Sequence, residues 1–278
     1  MARKVAYLGP PGTFSEAAAI AHDAEAELVP FPRISAVAQA VEAGDADEGI
    51  VPIENSIEGP VTDTLDLLIH DSTLSICKEL VLPITHCLLV KPGTKLEAIR
   101  VVFSIPQALG QCRRFIEGSL AQAQVVAALS TVAGVEDMRA YDGPSAAIAP
   151  RRAADLYPVE VLVEGIQDRA DNVTRFVVLA FEDHPPTGDD KTSIAFLLDD
   201  RPRQLHNVIK QFAERDINLS KIESRPAKES LGRYVFLLDF DRHREDADAK
   251  EALAGIAPST NTLKIFGSYP RFRSGSGG

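Results

Sequence analysis

At 278 residues the chain suits one large domain or two unequal ones, and 45% hydrophobic with 25% charged residues is the composition of an ordinary globular protein. A formal charge of −11 and a pI near 5.1 exclude a general nucleic-acid binder, which needs basic surface to displace counterions, but leave room for a local cationic pocket. The cysteines, Cys77, Cys87 and Cys112, are odd in number and lack metal-type spacing, so they are expected to be reduced core thiols of a cytoplasmic protein.

Residues 5–8 read as a strand and meet Gly9-Pro10-Pro11 before a signal peptide's apolar region can form. The longest apolar stretch, residues 80–90, is interrupted by Pro83 and His86 and is too short for a bilayer, so no membrane partner is expected. Thr13 and Glu16 have capping-box spacing; a helix therefore starts at Thr13 with free amides that attract anions. The turn before it, Gly9 to Gly12, lacks the ending of a nucleotide-binding loop, and a tight ligand-free turn explains it equally well. Ser35 can cap a second helix over residues 36–43, ended by Gly44. The next strand ends in Glu54, Asn55 and Ser56, and Pro60 suits the first turn of a helix running to His70.

Residues 74–90 read as two strands joined across Pro83, which would break a central ladder. A strand over 100–103 leads to a helix opened by Pro106 that carries Gln107, Gln111 and Cys112. A strand over 125–129 leads to a helix starting at Ser130-Thr131, and the Ala-rich run 145–156 reads as one helix. Each strand-to-helix junction ends in small polar residues: Thr13 and Ser15, Asn55 and Ser56, Ser104, Ser130 and Thr131. Loops of this kind on one sheet edge converge on a ligand crevice.

The polar run 165–176, with Asn172, Thr174, Arg175 and Phe176, leads into an apolar strand over 177–181. A hydroxyl, a guanidinium and a ring at the mouth of a strand can hold a small anion, although Arg175 as a surface cation and Thr174 as an ordinary β-former fit the same residues. After a linker at 183–191, strands at 192–199, 217–224, 234–241 and 261–266 alternate with helices at 203–214 and 245–254. This βαββαβ order is ferredoxin-like, and a flexible tail is expected at 273–278.

With these residues in order, the chain resembles the prephenate dehydratase family over nearly its whole length. The motifs are Gly9 to Ser15; Val51-Pro52-Ile53-Glu54-Asn55-Ser56; Pro106-Gln107-Ala108-Leu109 with Gln111-Cys112; and Asn172 with Thr174-Arg175-Phe176. In the second domain, Ile222-Glu223-Ser224-Arg225-Pro226 and Gly267-Ser268-Tyr269-Pro270-Arg271 resemble an ACT domain that senses phenylalanine. The resemblance implies an α/β protein: a two-lobed catalytic domain over 1–182, akin to type 2 periplasmic binding proteins with its site in the cleft, and an ACT domain over 192–272. It is expected to be monofunctional, because residue 5 already lies on the first strand of the catalytic domain.

The implied reaction is decarboxylation and dehydration of prephenate to phenylpyruvate, water and carbon dioxide in phenylalanine biosynthesis. Aromatisation drives it, so no metal, redox or organic cofactor is required. The resemblance places catalysis on Thr174, Arg175, Asn55, Ser56 and Glu54, with Thr174 donating to the leaving hydroxyl and Arg175 gripping a carboxylate. Thr13, Ser15, Gln107, Ser130, Thr131, Asn172 and Phe176 are the implied substrate-binding residues. Leu205, Asn218, Leu219, Glu223 and Ser224 are the implied border of an L-phenylalanine effector site in a homodimer or homotetramer. Arogenate dehydratase and a non-catalytic amino-acid sensor are the rival readings; the intact Asn172, Thr174, Arg175 and Phe176 argue for the enzyme. Two positions depart from the family: Ile105 stands where His is usual, and Arg203-Gln204 replaces the Gly-Ala that lets an effector approach the backbone.

Overall fold

The computed structural model describes residues 2–227 and 233–273; the expected tail lies, beyond Arg273, outside the described residues. The chain divides into two compact units, Met1–Thr64 with Leu80–Phe176, and Leu65–Glu79 with Val177–Gly278. Among the described residues no helix is long and apolar enough to cross a membrane.

The first unit begins with parallel strands β1 (Lys4–Leu8), β2 (Glu27–Phe31) and β3 (Glu48–Asn55), alternating with helices α1 (Phe14–His22) and α2 (Ile34–Glu42). Val5, Ala6, Ile50 and Val51 are fully buried, as befits parallel strands covered on both faces. Thr13 caps α1 as expected, accepting from the Glu16 amide at 3.4 Å. Glu16 closes the box differently, accepting from the Gly12 amide at 2.8 Å. Helix α2 opens earlier than expected: Arg33 occupies the extended cap position without a side-chain bond, so Ser35 is not the cap.

A short strand β4 (Gly59–Pro60) folds back on β3, which delays the next helix to α3 (Thr62–Asp66); a π-turn over Leu67–Asp71 continues it. Strands β5 (Ser75–Pro83) and β6 (Cys87–Val90) flank Pro83 as expected but enter different sheets. The second sheet adds β7 (Val101–Ser104), β8 (Gln124–Ala127), β9 (Ser145–Ala149) and β10 (Glu160–Glu164). Its helices are α4 (Pro106–Gln111), α5 (Arg113–Ser119), α6 (Thr131–Ala140) and α7 (Arg151–Leu156), and the strand order is β10-β6-β9-β7-β8.

The Ala-rich run 145–156 is therefore not one helix. Pro144 and Pro150 bracket a window too short for a stable helix, and Ala146, Ala147, Ile148 and Ala149 are wholly buried between β6 and β7. Tertiary burial overrides alanine's helix propensity here. The chain then returns to the first sheet as β11 (Val173–Ala180), giving the order β2-β1-β3-β11-β5. Strand β11 starts four residues before the apolar run, so Thr174, Arg175 and Phe176 are strand residues.

Cys87 and Cys112 are free and buried, while Cys77 is half-buried with its Sγ 3.6 Å from the Val178 carbonyl oxygen. Burial pushes the Cys87 thiol up to about 11 and the Cys112 thiol up to about 12, which keeps both protonated and unreactive near neutral pH.

In the second unit β12 (Asp190–Leu198), α8 (Gln204–Ala213), β13 (Leu219–Pro226), β14 (Tyr234–Asp241), α9 (Ala247–Ile256) and β15 (Thr262–Pro270) realise the βαββαβ pattern. The antiparallel sheet runs β13-β14-β12-β15. Alternate residues Ile194, Phe196 and Leu198 of β12 join Val208, Phe212, Leu238, Phe240 and Ile256 in one core, leaving the intervening side chains on the other face.

Candidate active site

A cavity of about 760 Å³ lies within the first unit, a size that suits a small organic acid. Its wall draws on both sheets. Leu8, Phe14 and Ser15 come from the β1–α1 junction; Pro52, Asn55 and residues 58–63 come from the end of β3 and the turn through β4 into α3. Ile84 and His86 lie on the first crossover between the sheets. Ile105, Gln107, Ala108, Gln111, Leu129 and Thr131 come from the second sheet's junctions, and Thr174 and Phe176 from β11. The polar junctions do converge, but from two sheets and not along one edge.

At the centre is Thr174, 8% exposed on a strand whose next inward residue, Phe176, is 1% exposed. Its hydroxyl oxygen accepts from the Asn55 side-chain amide at 2.9 Å. Asn55 cannot turn over, because its carbonyl oxygen already accepts the backbone N–H groups of Ile57 at 2.9 Å and Glu58 at 3.0 Å. With Asn55 donating to it, the Thr174 hydroxyl is left to direct its own proton elsewhere. Asn55 also donates to the Asn172 side-chain oxygen at 2.8 Å, and Asn172 in turn donates to the Gln111 side-chain oxygen at 2.9 Å. The same Gln111 oxygen meets His86 Nε2 at 2.9 Å, and the Gln111 amide donates to Glu58 at 3.2 Å. Burial holds the His86 imidazole below its ordinary pKa, which favours the neutral ring.

Of the residues expected to bind or react, Ser15, Asn55, Gln107, Thr131, Thr174 and Phe176 line the cavity. Asn172 is wholly buried behind Asn55 and Gln111. Thr13 uses its hydroxyl on the α1 cap and on the Pro10 carbonyl at 3.0 Å, and Ser130 caps α6 by accepting from the Ala133 amide at 2.9 Å. Ser56 ties β3 to β11, accepting from the Val173 amide at 3.0 Å. Glu54 pairs in register with Pro60 and is not in the wall. Arg175 stands between Thr174 and Phe176 on β11 and is not among the residues that line the cavity.

His86, Gln111 and Glu58 also line the cavity, and sequence reasoning did not single them out for the site. His86 had shown itself only as an interruption of an apolar run. Among the described residues no Lys or Arg lines the cavity; the first turns of α1 and α6, the positive ends of those helices, contribute Phe14, Ser15 and Thr131 to its wall.

Residues 5–184 match the prephenate dehydratase family model and residues 192–257 match the ACT domain model. The chain is 41% identical over 270 residues to the bifunctional chorismate mutase/prephenate dehydratase of Pseudomonas aeruginosa, covering 96% of this chain and 73% of that one. It is 40% identical over 285 residues to arogenate dehydratase 1 of Petunia hybrida, covering 96% of this chain and 66% of that one. A crystal structure of prephenate dehydratase from Arthrobacter aurescens in complex with L-Phe superposes with a TM-score of 0.89 at 38% identity, covering 96% of this chain and 90% of that one. Two sheets enclosing a cavity, a hydroxyl fixed in its wall and a βαββαβ unit after it thus accompany agreement along almost the entire chain, which belongs to the prephenate dehydratase family and carries an ACT domain.

Proposed function

We propose that the chain converts prephenate to phenylpyruvate, with the chemistry in residues 1–182 and amino-acid regulation in residues 192–272. The observation that carries this is the preset Thr174 hydroxyl, which accepts from Asn55 and lines the cavity. As the ring carboxylate leaves as carbon dioxide, its bonding electrons enter the ring and the C–O bond to the hydroxyl breaks. The departing oxygen takes one proton to become water. Thr174 donates a hydrogen bond to that oxygen as negative charge grows on it, a role better suited to a weakly acidic hydroxyl than outright proton loss. Ser15, Thr131 and Gln107 present neutral donors to the remaining carboxylate and keto group, helped by the amides of α1 and α6. The buried free thiols of Cys87 and Cys112 support a reducing, cytoplasmic setting. Steady-state assay with prephenate tests the proposal: phenylpyruvate formation supports it, and ligand binding without turnover would favour the sensor reading.

A second reading has its own support. Glu58 and Asp63 line the cavity, and carboxylates suit the ammonium group of arogenate better than the keto oxygen of prephenate. Comparing kcat/KM for the two substrates decides between them.

For regulation, L-phenylalanine is the proposed effector, bordered by Leu205, Asn218, Leu219, Glu223 and Ser224. Leu205 packs on the core of the second unit, Asn218 donates to Asp241 at 2.8 Å, and Glu223 lies 3.3 Å from Lys221. Leu219, Glu223 and Ser224 lie on β13, an edge strand with Ile222 48% exposed, which supports pairing with a second copy in a homodimer or homotetramer. Light scattering reads the subunit number. Arg203, which replaces the family's glycine, adopts φ 72°, a left-handed conformation natural to glycine. Arg203→Gly is expected to raise stability by about 0.5–1 kcal/mol and to tighten phenylalanine binding. Urea unfolding and calorimetry check this; unchanged values in both would count against a strained effector loop.

A further inference from the structure

The chain passes between the two sheets of the first unit twice, and each crossover carries a buried polar side chain. His86 lies on the first, between β5 and β6; Asn172 lies on the second, just before β11. The crossovers are joined directly by the Ile84 amide donating to the Asn172 carbonyl at 2.8 Å. His86 is 2% exposed and is held by its backbone: its amide donates to the Gln167 side chain at 3.0 Å, and its carbonyl accepts from Gly165 and Ile166. An edge-to-face contact with Phe14, centroids 5.5 Å apart, fixes the ring plane.

The direction of every hydrogen bond between His86 and Thr174 follows from one fixed end. The two backbone N–H groups on the Asn55 oxygen force its amide nitrogen toward Asn172 and Thr174. Asn172 then presents its oxygen to Asn55 and its nitrogen to Gln111. Gln111 must present its oxygen to Asn172, which leaves that oxygen as an acceptor for His86 as well. The proton of His86 accordingly sits on Nε2, while Nδ1 is buried without a hydrogen-bond partner among the described residues. Two donors converge on one oxygen, and the Gln111 amide donates to Glu58, in an exposed loop.

We infer that His86 is a positioning residue: its Nε2–H, by locking the Gln111 side chain, holds the amide chain that keeps the Thr174 hydroxyl aimed into the cavity. This rests on the reading that Thr174 assists the leaving hydroxyl. Without the His86 donor, Gln111 is held by Asn172 alone on its oxygen side and is free to follow Glu58, which slackens the Asn172–Asn55 pair. The consequence falls on the chemical step, where donor direction matters, more than on substrate capture, which Ser15, Thr131 and Gln107 serve.

The test compares three substitutions in the full chain, with kcat, KM and thermal midpoint measured for each. His86→Gln can place an amide donor near the position of Nε2; His86→Asn is polar but too short to reach Gln111; His86→Phe keeps the ring and removes the donor. The expected result is a fall in kcat of about tenfold or more for His86→Phe and His86→Asn, with KM within about twofold and most of kcat restored in His86→Gln. In a Thr174→Ala background His86→Phe is expected to change kcat less than about twofold, since both act through one hydroxyl. Full kcat in His86→Asn, or His86→Gln no better than His86→Asn at equal stability, overturns the inference. So does a penalty that multiplies with that of Thr174→Ala. Should His86→Phe fail to fold, the Gln and Asn pair carries the comparison. Full kcat in Thr174→Ala alone refutes the parent reading instead, and the single His86 variants then show whether the histidine acts by another route.

Discussion

Thr174→Ala is expected to lower kcat on prephenate by at least about a hundredfold while KM changes less than about threefold, the pattern of a donor used in the transition state and little in the ground state. The substitution removes a hydroxyl and a methyl group and strands nothing. Asn55 keeps the Asn172 oxygen at 2.8 Å and the Val173 carbonyl at 3.1 Å as acceptors, so no buried donor is orphaned. Strand β11 is paired on both sides in its sheet, and its neighbours Phe176, Val177 and Val178 are buried, so the backbone under residue 174 should stay in place. Thr174→Ser is the control: it retains the oxygen and should keep most of kcat. Thr174→Val keeps the shape, loses the hydroxyl and should resemble the Ala variant. A Thr174→Ala enzyme with near-native kcat and raised KM would make the hydroxyl a binding group and remove the proposed assistance to the departing oxygen.

Much of this architecture was legible in the chain because it depends on neighbours a few residues apart. The Thr13 cap, the glycine that ends α2, and the alternation that buries Ile194, Phe196 and Leu198 are all local signals. Three features were not local. The start of β11 is set by the Ser56 amide donating to the Val173 carbonyl, a bond between residues far apart in sequence, so the polar run 172–176 gave no sign that Thr174, Arg175 and Phe176 would be strand residues. Strand β9 is a strand because two neighbours bury it, against the propensity of its alanines. The amide chain behind Thr174 spans sequence separations of 117 and 61 residues before it reaches His86, and no periodicity reports such a path. Motif resemblance supplied Asn55, Asn172 and Thr174 as separate points; hydrogen-bond direction turns them into one device.

Gly267→Ala is expected to destabilise the second unit by about 3 kcal/mol or more, the largest stability effect anticipated for so small a change. Two penalties combine. Gly267 has φ 144°, a conformation that L side chains rarely adopt, and an added Cβ would stand 2.2 Å from the Ile76 carbonyl oxygen and 2.8 Å from the Ile76 nitrogen. Both obstacles are backbone atoms of β5, so no rotamer change relieves the overlap. The approach exists because β15 bulges here: Ser193 faces Gly267 while Ile194 faces Ile265, leaving Phe266 as the extra residue. Strand β15 has little freedom to retreat. Ser268 meets the Thr192 hydroxyl at 2.8 Å, the Tyr269 hydroxyl meets Ser193 at 2.5 Å, and Lys191 grips the buried Glu79 of β5 at 2.9 and 3.0 Å. Moving β15 away from Ile76 would loosen these bonds together, and all of the partners except the half-buried Lys191 are buried. Urea unfolding followed by circular dichroism reads the cost. A Gly267→Ala midpoint equal to that of the unsubstituted chain would mean that β5 and β15 can separate freely and that the close approach is not a constraint on the fold.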